Sequence, residues 1–141
     1  MKNIVLALCT IICIISSAQK NIVLRLNHYL NQSTFQYNQN FETDGIINKY
    51  TRLQYYLSGF ELFHDGGQMT VLNNTYVLAS GHITNYYLGN FPVSSLESIS
   101  FDVGVDQIAN SGNTTNYPAS HPLGPKSPPM DWGWPSGYFF V

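Results

Sequence analysis

Cysteine is almost missing from this chain. Of 141 residues only Cys9 and Cys13 are cysteines. Both fall inside a stretch that reads as an export signal: Lys2 supplies a positive start, residues 4–15 an apolar run, and Ser16-Ser17-Ala18 a small-residue cleavage site. Bulky Leu8 and Ile12 stand before the two cysteines, where a lipoprotein signal needs a small residue. Cleavage after Ala18 is therefore expected to leave a soluble, cysteine-free exported chain of 123 residues. Such a chain has no disulfide, no cysteine-ligated zinc or iron–sulfur site and no cysteine nucleophile, so a metal would have to use His, Met, carboxylate or something unusual. The apolar run is also shorter than the roughly 20 residues that cross a bilayer, and no membrane span is expected.

Charge is scarce as well, at 10% of residues. Without Lys2, five basic residues face eight acidic ones, a net charge near −3 with histidine neutral. Nucleic-acid binding needs clustered positive charge on one face, and nothing here supplies it. Catalytic signatures are missing too: there is no Gly-x-Ser-x-Gly, no His-Glu-x-x-His and no phosphate-cradling glycine loop. Asp102 and Asp106 are close enough in sequence to approach each other, but a loop aspartate is far more often structural than catalytic. The chain is not expected to be an enzyme. Its 123 residues suit one domain with a single core burying roughly two-thirds of the unfolded surface.

What the sequence does hold is alternation. Residues 21–30 place Ile22, Leu24, Leu26, His28 and Leu30 on one side, which predicts one strand with His28 as the polar interruption of its apolar face. Phe35, Tyr37 and Phe41 alternate before the Asp44-Gly45 turn signal, which predicts a hairpin. Residues 50–63 read as a longer strand with a bulge at Gly59, where the register flips. Asp65-Gly66-Gly67 closes a hairpin into a strand over 69–78, and Ser94 to Glu97 suggests one helical turn. Residues 98–105 alternate most cleanly and are expected to be the central strand, while 106–120 is Asn-, Ser- and Thr-rich loop. Many strands and no long helical pattern predict an all-β fold, an antiparallel β-sandwich.

The last stretch differs from everything before it. Residues 121–141 hold five of the seven prolines and both tryptophans. Proline fixes φ and removes a backbone donor, so the segment must be an ordered irregular loop, entering a strand around residues 138–141. Two indoles beside a thioether, with Gly133 between them, make either a plug for the sandwich or the wall of a site.

Here Met130-Asp131-Trp132-Gly133-Trp134 followed by Ser136-Gly137-Tyr138 resembles the Met-x-Trp-x-Trp-x-x-Gly-Tyr signature of the MbnP-like copper-binding family. His121-Pro122-Leu123 is similar to the lead-in of that signature. Arg52-Leu53-Gln54-Tyr55-Tyr56-Leu57-Ser58 and Gly104-Val105-Asp106 resemble two earlier motifs of the same family, in the same order. The resemblance covers nearly all of the expected mature chain, residues 19–141, but only the N-terminal part of the family domain, so an incomplete sandwich is expected.

The resemblance implies a periplasmic or secreted protein that binds copper through two histidines and the amine of kynurenine, a tryptophan oxidised after translation by a partner di-haem enzyme of the peroxidase type. Trp132 or Trp134 would be the modified residue, since an intact indole is only a donor. His28, His82 and His121 are the candidate imidazole ligands. Copper(I) is soft and is bound well by imidazole and thioether groups without cysteine. Each residue also has a plainer reading: His28 as a buried imidazole paired with the backbone, His82 as a surface-loop histidine, His64 as a solvated turn residue, and each Trp as simple burial. Asp131 departs from relatives that carry an aromatic or histidine there. The competing function is an extracytoplasmic module without metal, whose Trp132, Trp134, Tyr86 and Tyr87 form an aromatic platform for sugar or protein.

Overall fold

Strand β6 (Gln54–His64) is the axis of the fold, because its side chains are buried on both faces. The computed structural model describes residues 19–139; the expected signal at 1–18 and the end of the expected terminal strand lie outside them. β10 (Leu96–Val103) pairs antiparallel along one edge of β6, while β7 (Gln68–Val71) and β8 (Val77–Ser80) share the other edge end to end.

The expected bulge at Gly59 is present. Ser100 faces Glu61 and Asp102 faces Ser58, so Gly59 and Phe60 of β6 together stand opposite Phe101 of β10. Gly59 has φ +61, and a Cβ there would lie 2.5 Å from Asp102 Oδ2. The bulge flips the register: Tyr55 and Leu57 face one core before it, and Phe60 and Leu62 face the same core after it.

That core lies between the four-stranded sheet and a two-stranded ribbon of β1 (Lys20–Arg25) and β9 (Asn85–Phe91). Ile22 and Leu88 from the ribbon pack on Leu57, Phe60, Leu62, Val77 and Ala79. The architecture is an all-β sandwich of antiparallel sheets. On the other face of β6, Tyr56 is covered by Val105, Ala109, Leu123, Met130 and Tyr138, all from the chain after β10. The Pro/Trp segment therefore forms a third, irregular layer over the sheet.

Two small hairpins flank this frame: β2 (Tyr29–Leu30) with β3 (Ser33–Thr34), and β4 (Asn40–Thr43) with β5 (Ile46–Lys49). The second closes on Asp44 and Gly45, both at positive φ, as the turn signal predicts. Loop 106–120 contains a short helix α1 (Gln107–Asn110), whose Ile108 and Ala109 amides donate to Asp106 Oδ1, and a 3₁₀ turn at Thr114–Asn116.

Several expectations are corrected. The strand over 21–30 is two pieces, because after Arg25 the chain leaves β9, keeping only the Leu26 amide bond to Thr84. The strand over 69–78 is likewise broken: Asn74 at φ 55 turns the chain out between β7 and β8, opposite the β6 bulge. Ser94 to Glu97 forms no helical turn; Leu96 already starts β10. β10 is an edge of its sheet among the described residues, not its centre. Clean alternation marks a strand with one solvated face, whereas the central strand reads as a nearly continuous apolar run because both its faces are covered.

Candidate functional site

The three motifs that carry the resemblance meet in space. Arg52 Nη2 donates to the carbonyls of Pro128 (3.3 Å) and Pro129 (3.0 Å), tying the approach to β6 onto the chain that leads into Met130. Arg52 Nε donates to Gln54 Oε1 at 2.7 Å. Tyr56 and Tyr138 pack edge to face at 5.2 Å. The Gly104 amide donates to the Tyr56 carbonyl at 2.8 Å, Val105 enters the same core, and Asp106 caps α1 and accepts from Tyr76 Oη at 2.5 Å. That hydrogen bond holds the Asp106 carboxyl below its ordinary range, while burial and the same bond raise the Tyr76 phenol.

The tryptophan signature folds into a tight loop. Asp131 and Tyr138 form a bridge, the Trp132 amide donates to Gly137 O at 2.8 Å and the Phe139 amide to Met130 O at 3.1 Å. Gly137, at φ +81, lies against Asn110, whose Oδ1 accepts from the Tyr138 amide at 2.8 Å. Tyr138 Oη donates to Leu123 O at 2.7 Å in the interior, and burial pushes its phenol up to about 12. Met130 and Tyr138 point inward, and the indoles between them point out: Trp132 is 71% exposed and Trp134 66%. Neither tryptophan is buried. Beneath the loop lies the Tyr56 hydroxyl, buried without a partner among the described residues. Burial chiefly, then the nearby Tyr138 and Asp131, raise its pKa and keep it a neutral donor.

The candidate histidines stand in three places. His28 Nε2 meets Tyr55 Oη at 2.8 Å, on the β6 face opposite Tyr56. His82 lies against Tyr37 at 3.9 Å between ring centres, the two planes tilted by 43°, and makes no hydrogen bond among the described residues. His121 lies parallel to Tyr117 at 4.6 Å and edge-on to Tyr76 at 6.1 Å. Its Nδ1 accepts from the Leu123 amide at 3.1 Å, which puts the proton of the neutral ring on Nε2. Burial and the Lys126 ammonium lower its pKa, so the ring is neutral at pH 7. His64, expected to be solvated, is instead 5% exposed, with Nδ1 on Asp65 Oδ2 (3.0 Å) and Nε2 on Thr70 Oγ1 (2.8 Å). Asp65 also accepts from the Ser94 and Ser95 amides, so the group clasps the β6–β7 turn to the β9–β10 connection.

Among the described residues no group of three His, Cys, Asp or Glu converges as a ready metal cluster. Nor does any imidazole contact either indole ring. His82 and Trp132 come nearest to sharing a site. A cleft of about 390 Å³ is lined by Trp132, Phe139, Arg52 and Gln54. A second, of about 230 Å³, is lined by His82, Tyr37, and again Arg52 and Gln54. The two lie on either side of one Arg–Gln ridge. For copper held by imidazole and a modified tryptophan, His82 fits best, having its ring nitrogens unengaged. His28 keeps Nδ1 available, and His121 would have to give up its Leu123 bond to present Nε2.

Sequence reasoning did not mark Arg52, Gln54 or Tyr37 as site residues. Arg52 and Gln54 stood in a quoted motif, but their role depends on loops distant in the chain. No helix among the described residues is long and apolar enough to cross a membrane. Searches of curated proteins and of solved structures return no match. The MbnP family profile matches residues 19–141. With its three motifs packed against one another, the chain belongs to the MbnP family.

Proposed function

We propose that this protein binds copper outside the cytoplasm and stores it or hands it over, without catalysing a reaction. MbnP membership, which carries a copper-related extracytoplasmic role, supports this, as does the export signal read at residues 1–18. The observation that carries the reading is the exposure of both signature tryptophans on a loop whose neighbouring Met130 and Tyr138 are buried. Large indoles left in water by so ordered a loop are accessible to a modifying enzyme and to a partner receiving the metal. In this reading a di-haem peroxidase-type enzyme uses two equivalents of peroxide to cleave the C2–C3 bond of one indole, giving N-formylkynurenine and water, and hydrolysis releases formate to leave kynurenine. The freed aryl amine then joins His82, with His28 or His121 as the second imidazole.

The aromatic-platform reading loses support. Trp132, Trp134 and the Tyr86–Tyr87 pair line three separate clefts rather than one plane. Tyr86 is also engaged through its hydroxyl with Ser80 and Ile83.

Intact-mass spectrometry of protein purified from its own host, native and denatured, tests the proposal. The native mass should show copper and the denatured mass a ring-opened tryptophan at 132 or 134, with copper lost in His82→Ala. An unmodified chain that takes up no added copper would overturn it.

A further inference from the structure

The ridge between the two clefts carries a charge whose remaining donors face no protein partner. Arg52 Nε is engaged by Gln54, and Nη2 by the Pro128 and Pro129 carbonyls. Those bonds fix the guanidinium plane. The two N–H groups on Nη1 have no hydrogen-bond partner among the described residues, and no carboxylate pairs with this arginine, whose only anchors are neutral. Around it stand Trp132 and Phe139 on one side, edge to face at 4.4 Å, and His82 tilted against Tyr37 on the other.

We infer that the cleft on the Trp132 side of this ridge is a binding site for a planar organic carboxylate, with one carboxylate oxygen on Arg52 Nη1 and the flat body of the ligand against the Trp132 indole. Three physical points support the assignment. An arginine already locked by three hydrogen bonds loses little side-chain entropy when it takes an anion. Its Nε and Nη2 edges are occupied, so the contact is single-ended and not bidentate, which suits a small carboxylate better than a phosphate needing several donors. The walls are aromatic faces, which favour a flat ligand over a branched one. Because the guanidinium is solvent-exposed, the ion pair alone contributes modestly and the affinity is weak. This site goes beyond the copper role and does not depend on it.

The test uses metal-free protein, stripped on a chelating resin so that no carboxylate chelator competes, and benzoate as the probe with benzamide as its neutral isostere. The protein is produced without a modifying enzyme so that both indoles are intact, and their two N–H signals in a ¹H–¹⁵N spectrum give an internal control. Benzoate should shift the Trp132 indole and the Arg52 Nε–H saturably while leaving the Trp134 indole in place. Benzamide should bind at least several-fold more weakly, and added salt should weaken benzoate alone. Trp132→Ala should abolish the Arg52 shift. His82→Ala, an exposed change across the ridge that leaves the Arg52 anchors intact, should leave benzoate binding unchanged. Equal response to benzoate and benzamide, parallel shifts at both indoles, or a response that never saturates would each overturn the site. Because no copper is present, none of these outcomes bears on the metal.

Discussion

His121 shows how one side chain's surroundings set its chemistry. Tyr117 covers one face, Tyr76 an edge, and Lys126 Nζ donates to its backbone carbonyl. Burial first and the lysine charge second hold its pKa below the ordinary 6.5. An unfolded chain takes up a proton there near pH 6.5, whereas the folded one resists until lower pH. Below 6.5 the unfolded state therefore binds more protons, and stability is lost as pH falls from 6.5 to the depressed folded value. Its full contribution is retained above 6.5. Asn can present an oxygen where His121 presents Nδ1 to the Leu123 amide, but it cannot titrate. We expect the melting temperature of His121→Asn to fall less steeply between pH 7.5 and 5.5 than that of the parent, measured by circular dichroism; equal slopes would show that another group dominates.

The tryptophan loop matters at the scale of an element. It is held by its ends: the Asp131–Tyr138 bridge, Asn110 beneath Gly137, and the buried bond from Tyr138 Oη to Leu123 O. Removing that hydroxyl leaves the Leu123 carbonyl unsatisfied in the interior. Tyr138→Phe should cost about 1–3 kcal/mol in urea unfolding. Gly137→Ala combines a φ of +81 with a Cβ 2.5 Å from Asn110 Oδ1 and should destabilise at least as much as the strained backbone alone, about 1 kcal/mol. A neutral result for both would mean that the loop is held by the proline-rich chain before it and not by its own closure.

For the whole molecule, β6 divides two packed layers, and burial predicts where substitutions hurt. Phe60 is 0% exposed at the centre of the sandwich core, so Phe60→Ala should cost about 3–5 kcal/mol. Trp132→Ala removes a larger side chain but one that is 71% exposed, and should change stability by no more than about 1 kcal/mol. Chemical denaturation of the two variants side by side checks the contrast. A large loss at Trp132 would mean that the indole is a packing residue after all, and would weaken both the copper reading and the carboxylate site.

The period-2 runs, the glycine bulge of β6 and the Asp44-Gly45 turn were readable in the sequence, because strand alternation and turn chemistry are local properties of neighbouring residues. The all-β class followed from those runs, and the family from the resemblance of three motifs. The breaks after Arg25 and at Asn74, and the edge position of β10, were not readable, since they depend on which strand lies alongside. Met130 and Trp132 are two residues apart and both apolar, yet one is sealed under the loop and the other stands in water. That choice belongs to the tertiary structure, because the proline-rich chain must settle on Tyr56 before the loop has an inside. The same packing sets His82 and Trp132 in adjoining clefts on either side of Arg52 and leaves His28 on the far face of the sheet: sequence supplies the donors, and the crossing of distant segments decides which of them can meet.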